Sequence, residues 1–195
     1  MFDKKDVIEF FDRYAPGWDE TLVTNEEILG IILDRACVSE GKTVLDVGCG
    51  TGVMISRYLT RGVERVVGID ISPKMAEIAA GKFPRENVTI LCDDVETAEL
   101  PGPFDCIVVY NAFPHFPDPK RLIRILSEKL ASGGTLTVAH GASRETIDAH
   151  HHGSAMRVSN GLMEADALAA IFAEHLEVTD VISDARMYLV TGRRR

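Results

Sequence analysis

The stretch from Leu45 to Gly52 reads LDVGCGTG, with an acid, Asp46, at the end of an apolar run and Gly48, Gly50 and Gly52 spaced by Cys49 and Thr51. Glycine in a strand-to-helix turn carries an entropic cost, so its repeated use implies a backbone conformation or a close ligand approach that a side chain would forbid. Asp70 closes a second apolar run about 20 residues further on, the spacing at which a carboxylate accepts both hydroxyls of a ribose resting on the glycine turn. A dinucleotide site uses G-x-G-x-x-G, because the pyrophosphate needs the helix N-terminus aimed at it. Here the spacing is G-x-G-x-G and an acid precedes it. A carboxylate beside the turn opposes a pyrophosphate and favours an ammonium or sulfonium group, so the expected ligand is a nucleoside carrying positive charge.

Histidines supply the other candidate chemistry. Of six, His115, His140, His150, His151 and His152 follow the fourth and fifth strand-like runs, on the side where the ligand should lie. His115 and His140 are the candidate catalytic groups, each a base if the acceptor keeps its proton until attack. His140 serves equally as a substrate contact or a polar strand end. The segment DAHHHG, residues 148–153, reads as a solvated polar loop. If it is helical instead, Asp148 and His152 share a face and with His140 make a two-histidine, one-carboxylate site for a divalent metal, although the spacing matches no strong ligand signature. His175 falls in the apolar pattern of the last helix and reads as structural.

Alternating strands and helices must position these groups. Residues 1–40 carry helical periodicity, in Val7, Ile8, Phe11 and Tyr14 and again in Ile28, Ile31, Ile32 and Ala36, broken by APGWDE. From Thr43, TVLDV, RVVGID, NVTILCDD, FDCIVVYN and TLTVAH read as strands, with helix-length segments after the first, second and fourth. Ser72-Pro73 and Asp118-Pro119 read as cap-then-proline helix starts, and Gly133-Gly134 as the end of the second of these helices. Such alternation predicts an α/β, doubly wound, mostly parallel sheet. The last two runs, LEVTDVIS and RMYLVTG, are separated by only Asp184-Ala185, which permits a hairpin and forbids a parallel crossover. An exposed Met187 or Tyr188 on that hairpin would offer a surface for a homodimer.

Length and charge limit what surrounds this site. The 195 residues suit one domain, a helical preamble over 1–40 and an α/β core over 41–195. The net charge of -9 argues against a nucleic-acid partner, which is bound mainly through clustered Lys and Arg. No apolar run approaches a membrane span, and the first residues do not read as a secretory signal, so the expected address is cytoplasmic. Cys37, Cys49, Cys92 and Cys106 are scattered without a C-x-x-C pair and read as reduced thiols.

With these residues in place, the chain resembles the class I, seven-stranded, Rossmann-like methyltransferases that depend on S-adenosyl-L-methionine (SAM) and release S-adenosylhomocysteine. VLDVGCGTG is similar to their first motif, VVGIDIS to their second, and the stretch from Asn87 to Phe116 to their third and fourth. The resemblance runs from about Thr43 to His140 and implies the strand order 3-2-1-4-5-7-6 with strand seven antiparallel. It implies that Asp46, Gly48, Cys49, Gly50 and Gly52 face the amino-acid end of SAM and that Asp70 holds the ribose. Ile71 and Val95 would then sandwich the adenine, Asp94, or Asp93 if the register slips, would accept from its amino group, and Asn111 would lie near the methionine portion. Family members often carry a histidine where this chain has His115. Residues 2–18 resemble the preamble of small-molecule methyltransferases, F-D-x-x-A-x-x-W-D, through Phe11, Asp12, Ala15, Trp18 and Asp19. Tyr14 and Trp18 are then lid residues over the cofactor, or ordinary packing.

The implied activity is in-line transfer of the sulfonium methyl to a small-molecule substrate, in a pocket between the preamble and residues 141–161. A non-catalytic SAM-binding sensor or accessory subunit would need the same pocket. A nucleotide-dependent oxidoreductase is disfavoured by the glycine spacing.

Overall fold

The computed structural model describes residues 2–150 and 157–195. Its sheet has seven strands: β1 (Thr43–Val47), β2 (Arg65–Asp70), β3 (Val88–Cys92), β4 (Phe104–Tyr110), β5 (Leu130–His140), β6 (Glu177–Ser183) and β7 (Tyr188–Arg193). They run in the order β3-β2-β1-β4-β5-β7-β6, as the resemblance implies. β1 to β5 are mutually parallel, while β7 is antiparallel to both β5 and β6, so the closing hairpin expected from the short Asp184-Ala185 gap is present.

Eight helices are described: α1 (Lys4–Tyr14), α2 (Trp18–Thr21), α3 (Glu26–Arg35), α4 (Ile55–Thr60), α5 (Pro73–Lys82), α6 (Pro119–Glu128), α7 (Arg144–His150) and α8 (Ala165–Ala173). Their starts follow local chemistry. Ser72 accepts from the Met75 N–H and Asp118 from the Arg121 N–H, each followed by proline at the first helical position. At α1, Asp3 and Asp6 form a reciprocal capping box.

Two-residue periodicity splits the core into two layers. Leu45, Val47, Val67 and Ile69 face the layer built from α6 and α8, while Val44 and Val66 face the layer built from α3 and α4. Burial on both faces explains why the central strands read as continuous apolar runs.

Three sequence expectations are corrected. Gly133-Gly134 does not end α6, which stops at Glu128, but lies inside β5. A side-chain carbon at Gly134 would fall 2.9 Å from the Phe104 and Asp105 carbonyls, where the β4–β5 register shifts, so the glycine serves strand approach. His175 is exposed just beyond the end of α8, off the apolar face. Met187 and Tyr188 are buried, because β7 is an interior strand covered on both faces, and neither offers a dimer surface. No helix of the described residues is long and apolar enough to cross a membrane.

Candidate active site

β1 delivers the glycine turn. The Gly48 and Cys49 N–H groups both donate to the Ile69 carbonyl at 2.8 and 3.1 Å, folding the turn across the end of β2. Gly48, Gly50 and Gly52 all take positive φ, at 64°, 55° and 88°. A carbon added at Gly48 would sit 2.6 Å from the Ala112 Cβ, so glycine there lets the turn meet the chain after β4.

Asp70, at the tip of β2, joins two elements. Its Oδ2 accepts from the Gly50 N–H at 2.8 Å and its Oδ1 from the Ser72 N–H at 2.9 Å, tying the glycine turn to the start of α5. Burial raises the carboxyl above its ordinary value despite these two bonds, and Asp12 adds to the rise.

Beneath the turn, Asp46 is 1% exposed. Its Oδ1 accepts from the Tyr58 hydroxyl at 3.3 Å, and its Oδ2 is buried with no hydrogen-bond partner among the described residues. Burial, relieved in part by Tyr58 and reinforced by Asp70, pushes this carboxyl up to about 7. Burial together with Asp46 and Asp70 also drives the Cys49 thiol well above its usual range, so it stays protonated.

The glycine turn and Asp70 border an open cavity enclosing about 950 Å³ of empty space, its solvent-filled mouth included. Of the residues expected at the site, Gly48, Cys49, Gly50, Asp70, Ile71, Asp94, Val95, Asn111, Trp18 and His115 line it, as does Asp93. Tyr14 does not. It is 43% exposed and lies against Phe10 with ring centroids 4.8 Å apart, on the outer side of α1. Gly52 also lies off the wall, where an added carbon would meet Phe83 and Ile55. Asp46 stays under the turn and does not reach the wall.

The histidines separate. His115 sits in a short 3₁₀ turn, residues 113–115, and its ring meets Phe11 of α1 edge-on at 4.9 Å. Its Nδ1 lies 2.7 Å from the Val158 carbonyl, which can only accept, so the proton is on Nδ1. His140 ends β5 as expected, but it shares strand parity with Leu136 and Val138 and turns into the α6–α8 layer. There it is 1% exposed and meets Tyr188 edge-on, away from the cavity wall.

The alternative metal triad of His140, Asp148 and His152 is not assembled by the described residues. Asp148 Oδ1 accepts from the Leu162 N–H at 3.0 Å and its other oxygen pairs with Arg144, while His151 and His152 lie outside the described residues. Among the described residues no group of three or more His, Cys, Asp or Glu could hold a metal ion. Nor does residue 141–150 or 157–161 line the cavity.

Sequence reasoning gave no role to the acids that fasten the preamble to the core. Asp12 accepts from the Ser72 hydroxyl at 2.6 Å and from the Lys74 N–H at 3.2 Å. Asp19 accepts from the Thr51 hydroxyl at 2.5 Å and pairs with Lys82 at 2.8 Å. Burial opposes its ionisation, but Lys82 and Thr51 outweigh that and hold the Asp19 carboxyl below the ordinary range. Lys4 pairs with Asp94 and Glu96, so one Asp94 oxygen already has a partner on α1 while the other accepts from the Glu96 N–H. Asp12 and Asp19 both stand in the preamble match, and that match was the signal available.

The donor set fits SAM. Gly50 opens onto the cavity where an added carbon would meet nothing within 4 Å, so a side chain would project into the ligand space. Asp70 at the end of β2 and Asp94 just past β3 line the cavity, Asp46 of β1 lies beneath its glycine turn, and together these acids favour a cation, with Ile71 and Val95 offering apolar surface beside them.

Comparison with known proteins agrees with this geometry. A methyltransferase domain family matches residues 44–134. The chain is 33% identical over 139 residues to the malonyl-[acyl-carrier protein] O-methyltransferase of Acetivibrio thermocellus, covering 70% of this chain and 49% of that protein. It is 37% identical over 106 residues to the ubiquinone biosynthesis O-methyltransferase of Chromobacterium violaceum, covering 52% and 45%. The chain thus spans about half the length of these curated relatives. Among solved structures, the N-methyltransferase NodS of Bradyrhizobium japonicum, in complex with S-adenosylhomocysteine, superposes with a TM-score of 0.75 at 18% identity, covering 97% of this chain and 98% of that one. A SAM-dependent methyltransferase of Mesorhizobium loti gives 0.71 at 18% identity, over 85% and 96%. With the glycine turn, the acids beside it and the sheet order all in agreement, residues 44–134 of this chain belong to that methyltransferase domain family, on the seven-stranded fold shared with these SAM-dependent enzymes.

Proposed function

We propose that the protein transfers the sulfonium methyl of SAM to a small-molecule acceptor by in-line displacement. The observation that carries the reading is the Asp70 carboxylate, which holds the glycine turn and the α5 start together at the cavity wall between the other two strand-tip acids.

SAM supplies a methyl already activated by its sulfonium, so the protein's work is to position, to desolvate and, where needed, to take a proton. Asp70 is assigned to the ribose hydroxyls, Ile71 and Val95 to the adenine faces, and Asp94 to the adenine amino group with Lys4 sharing its other oxygen. Asp46, unpaired at Oδ2 beneath Gly48, is assigned to the cationic amino-acid end through the electrostatics of the turn. Asn111, held at φ 52° with its Oδ1 accepting from the Gly141 N–H, is assigned in this reading to the methionine portion.

His115 is the acceptor-side base in this reading. With its proton on Nδ1, the ring's basic nitrogen is Nε2, and Phe11 and Trp18 of the preamble complete an apolar wall around it. A small acceptor is favoured by the preamble match, by the relatives named for malonyl-[acyl-carrier protein] and ubiquinone methylation, and by the net charge of -9, which opposes nucleic acid. The cytoplasm is the proposed place of action, on the sequence grounds given above.

Calorimetric titration with SAM, S-adenosylhomocysteine and NAD tests the cofactor. Micromolar binding of the first two, about 8 kcal/mol, and none of NAD is expected. Binding of NAD alone would refute the reading. Incubation with methyl-labelled SAM and a metabolite pool should then yield a labelled small product; label confined to unreacted SAM across all pools would refute turnover.

A further inference from the structure

The chain over residues 157–161 approaches the cavity without entering it. Residues 157–161 do not line it, yet they are stitched to the turn that carries His115. The Val158 carbonyl meets His115 Nδ1 at 2.7 Å. The Asn160 N–H donates to the Pro114 carbonyl at 2.9 Å, and its side-chain Nδ2 donates to the Phe116 and Pro117 carbonyls at 3.2 and 3.3 Å. The far end of the segment is anchored as well: the Leu162 N–H donates to Asp148 and the Leu162 carbonyl accepts from Arg144 at 2.7 Å.

Neutral imidazole has two tautomers, and whichever nitrogen faces a carbonyl must carry the proton. The 2.7 Å contact is kept only while residues 113–117 and the Val158 carbonyl stay in fixed register. Asn160 spans that gap, bonding to both sides of His115 along the chain, to Pro114 before it and to Phe116 and Pro117 after it. The residue is exposed and does not itself line the cavity, although Phe116 and Pro117, whose carbonyls it holds, do.

We propose that Asn160 is a positioning residue that locks His115 in the Nδ1–H tautomer, presenting Nε2 to the acceptor. The inference rests on the reading of His115 as the acceptor-side base, but its structural half can be tested apart from turnover.

The test is nitrogen-15 NMR of the imidazole rings in the protein saturated with S-adenosylhomocysteine, comparing wild type, Asn160→Ala and Asn160→Pro. Asn160→Ala removes the two side-chain bonds, and Asn160→Pro removes the main-chain donor as well. Wild type should show the His115 ring protonated at Nδ1. One hydrogen bond's worth of preference is about fivefold in the tautomer ratio, so Asn160→Ala should lower that ratio about fivefold and Asn160→Pro further, with S-adenosylhomocysteine affinity within about twofold of wild type. A wild-type ring protonated at Nε2, or an unchanged ratio in Asn160→Ala, overturns the proposal. Methyl transfer to a metabolite pool by His115→Gln separates the two claims. Unimpaired transfer removes the base role, and the proposal that depends on it, while leaving the cofactor site intact; abolished transfer with an unchanged tautomer in Asn160→Ala removes only the role of Asn160.

Discussion

The tips of β1 to β3 and the N-terminal helices meet at one cavity but are held there by different means. At the strand tips, position comes from main-chain geometry: parallel register, three positive-φ glycines and N–H groups of the turn that donate hydrogen bonds to the Ile69 carbonyl and the Asp70 carboxyl. The N-terminal segment instead hangs on side-chain tethers, Asp12 to Ser72 and Lys74, Asp19 to Thr51 and Lys82, and Lys4 to Asp94 and Glu96. Ser72 joins the two systems. Its N–H donates to Asp70, its hydroxyl donates to Asp12, and its oxygen accepts from the Met75 N–H. The difference implies a rigid cofactor floor under a cover whose attachment can be altered without disturbing the sheet.

Substitutions that remove one means of attachment and spare the other should therefore separate cofactor affinity from stability. The largest effect is expected at Asp70. Asp70→Ala strips the Gly50 and Ser72 amides of their acceptor and removes the ribose ligand, so S-adenosylhomocysteine affinity should fall about 100-fold or more by calorimetry. An affinity within a few-fold of wild type would mean that the strand tip does not hold the nucleoside. Gly48→Ala comes next, forcing a side chain into φ 64° and against Ala112. It should lower the unfolding free energy by about 2 kcal/mol, read as a shifted denaturant midpoint with an unchanged slope.

Asp46 gives a pH signature. Its folded value is raised by burial from 3.8 to about 7, so the folded chain keeps a proton that the unfolded chain releases between those limits. Stability contributed at this group is therefore greatest at low pH and falls as pH rises across that window. Asp46→Asn should flatten the slope, and S-adenosylhomocysteine binding to the wild type should release protons near pH 6, measurable as a buffer-dependent binding enthalpy. An identical slope in the mutant would show that Asp46 is not the titrating group.

The smallest effect is expected in the cover. Asp12→Ala should weaken S-adenosylhomocysteine about tenfold while changing unfolding stability by less than about 1 kcal/mol. Equal losses in stability and binding would erase the distinction between floor and cover.

The same division explains what the sequence disclosed. TVLDV and RVVGID became β1 and β2 with the bounds read from their apolar runs, and the Ser72-Pro73 and Asp118-Pro119 starts held, because these features are set by local chemistry and burial. Gly48, Gly50 and Asp70 were legible for the same reason: a main-chain requirement selects a residue type at a fixed spacing. Tyr14 and His140 were misplaced at the cavity because the direction of a side chain depends on helix rotation and strand parity, which their neighbours in space decide. Gly133-Gly134 looked like a helix end because the close approach of β4 is a non-local demand. Asp12 and Asp19 stood in the matched preamble, but their partners are 60 and 32 residues away in sequence, beyond any local pattern.

We propose that Asp46, Asp70, Asp94 and the glycine turn together form an adenosyl site. A crystal structure of the protein with S-adenosylhomocysteine tests it most directly. The ribose hydroxyls should lie on Asp70, the adenine between Ile71 and Val95, and the amino-acid end over Gly48 and Gly50. Density for the nucleoside elsewhere, or with Asp70 bonded only to Gly50 and Ser72, would contradict it.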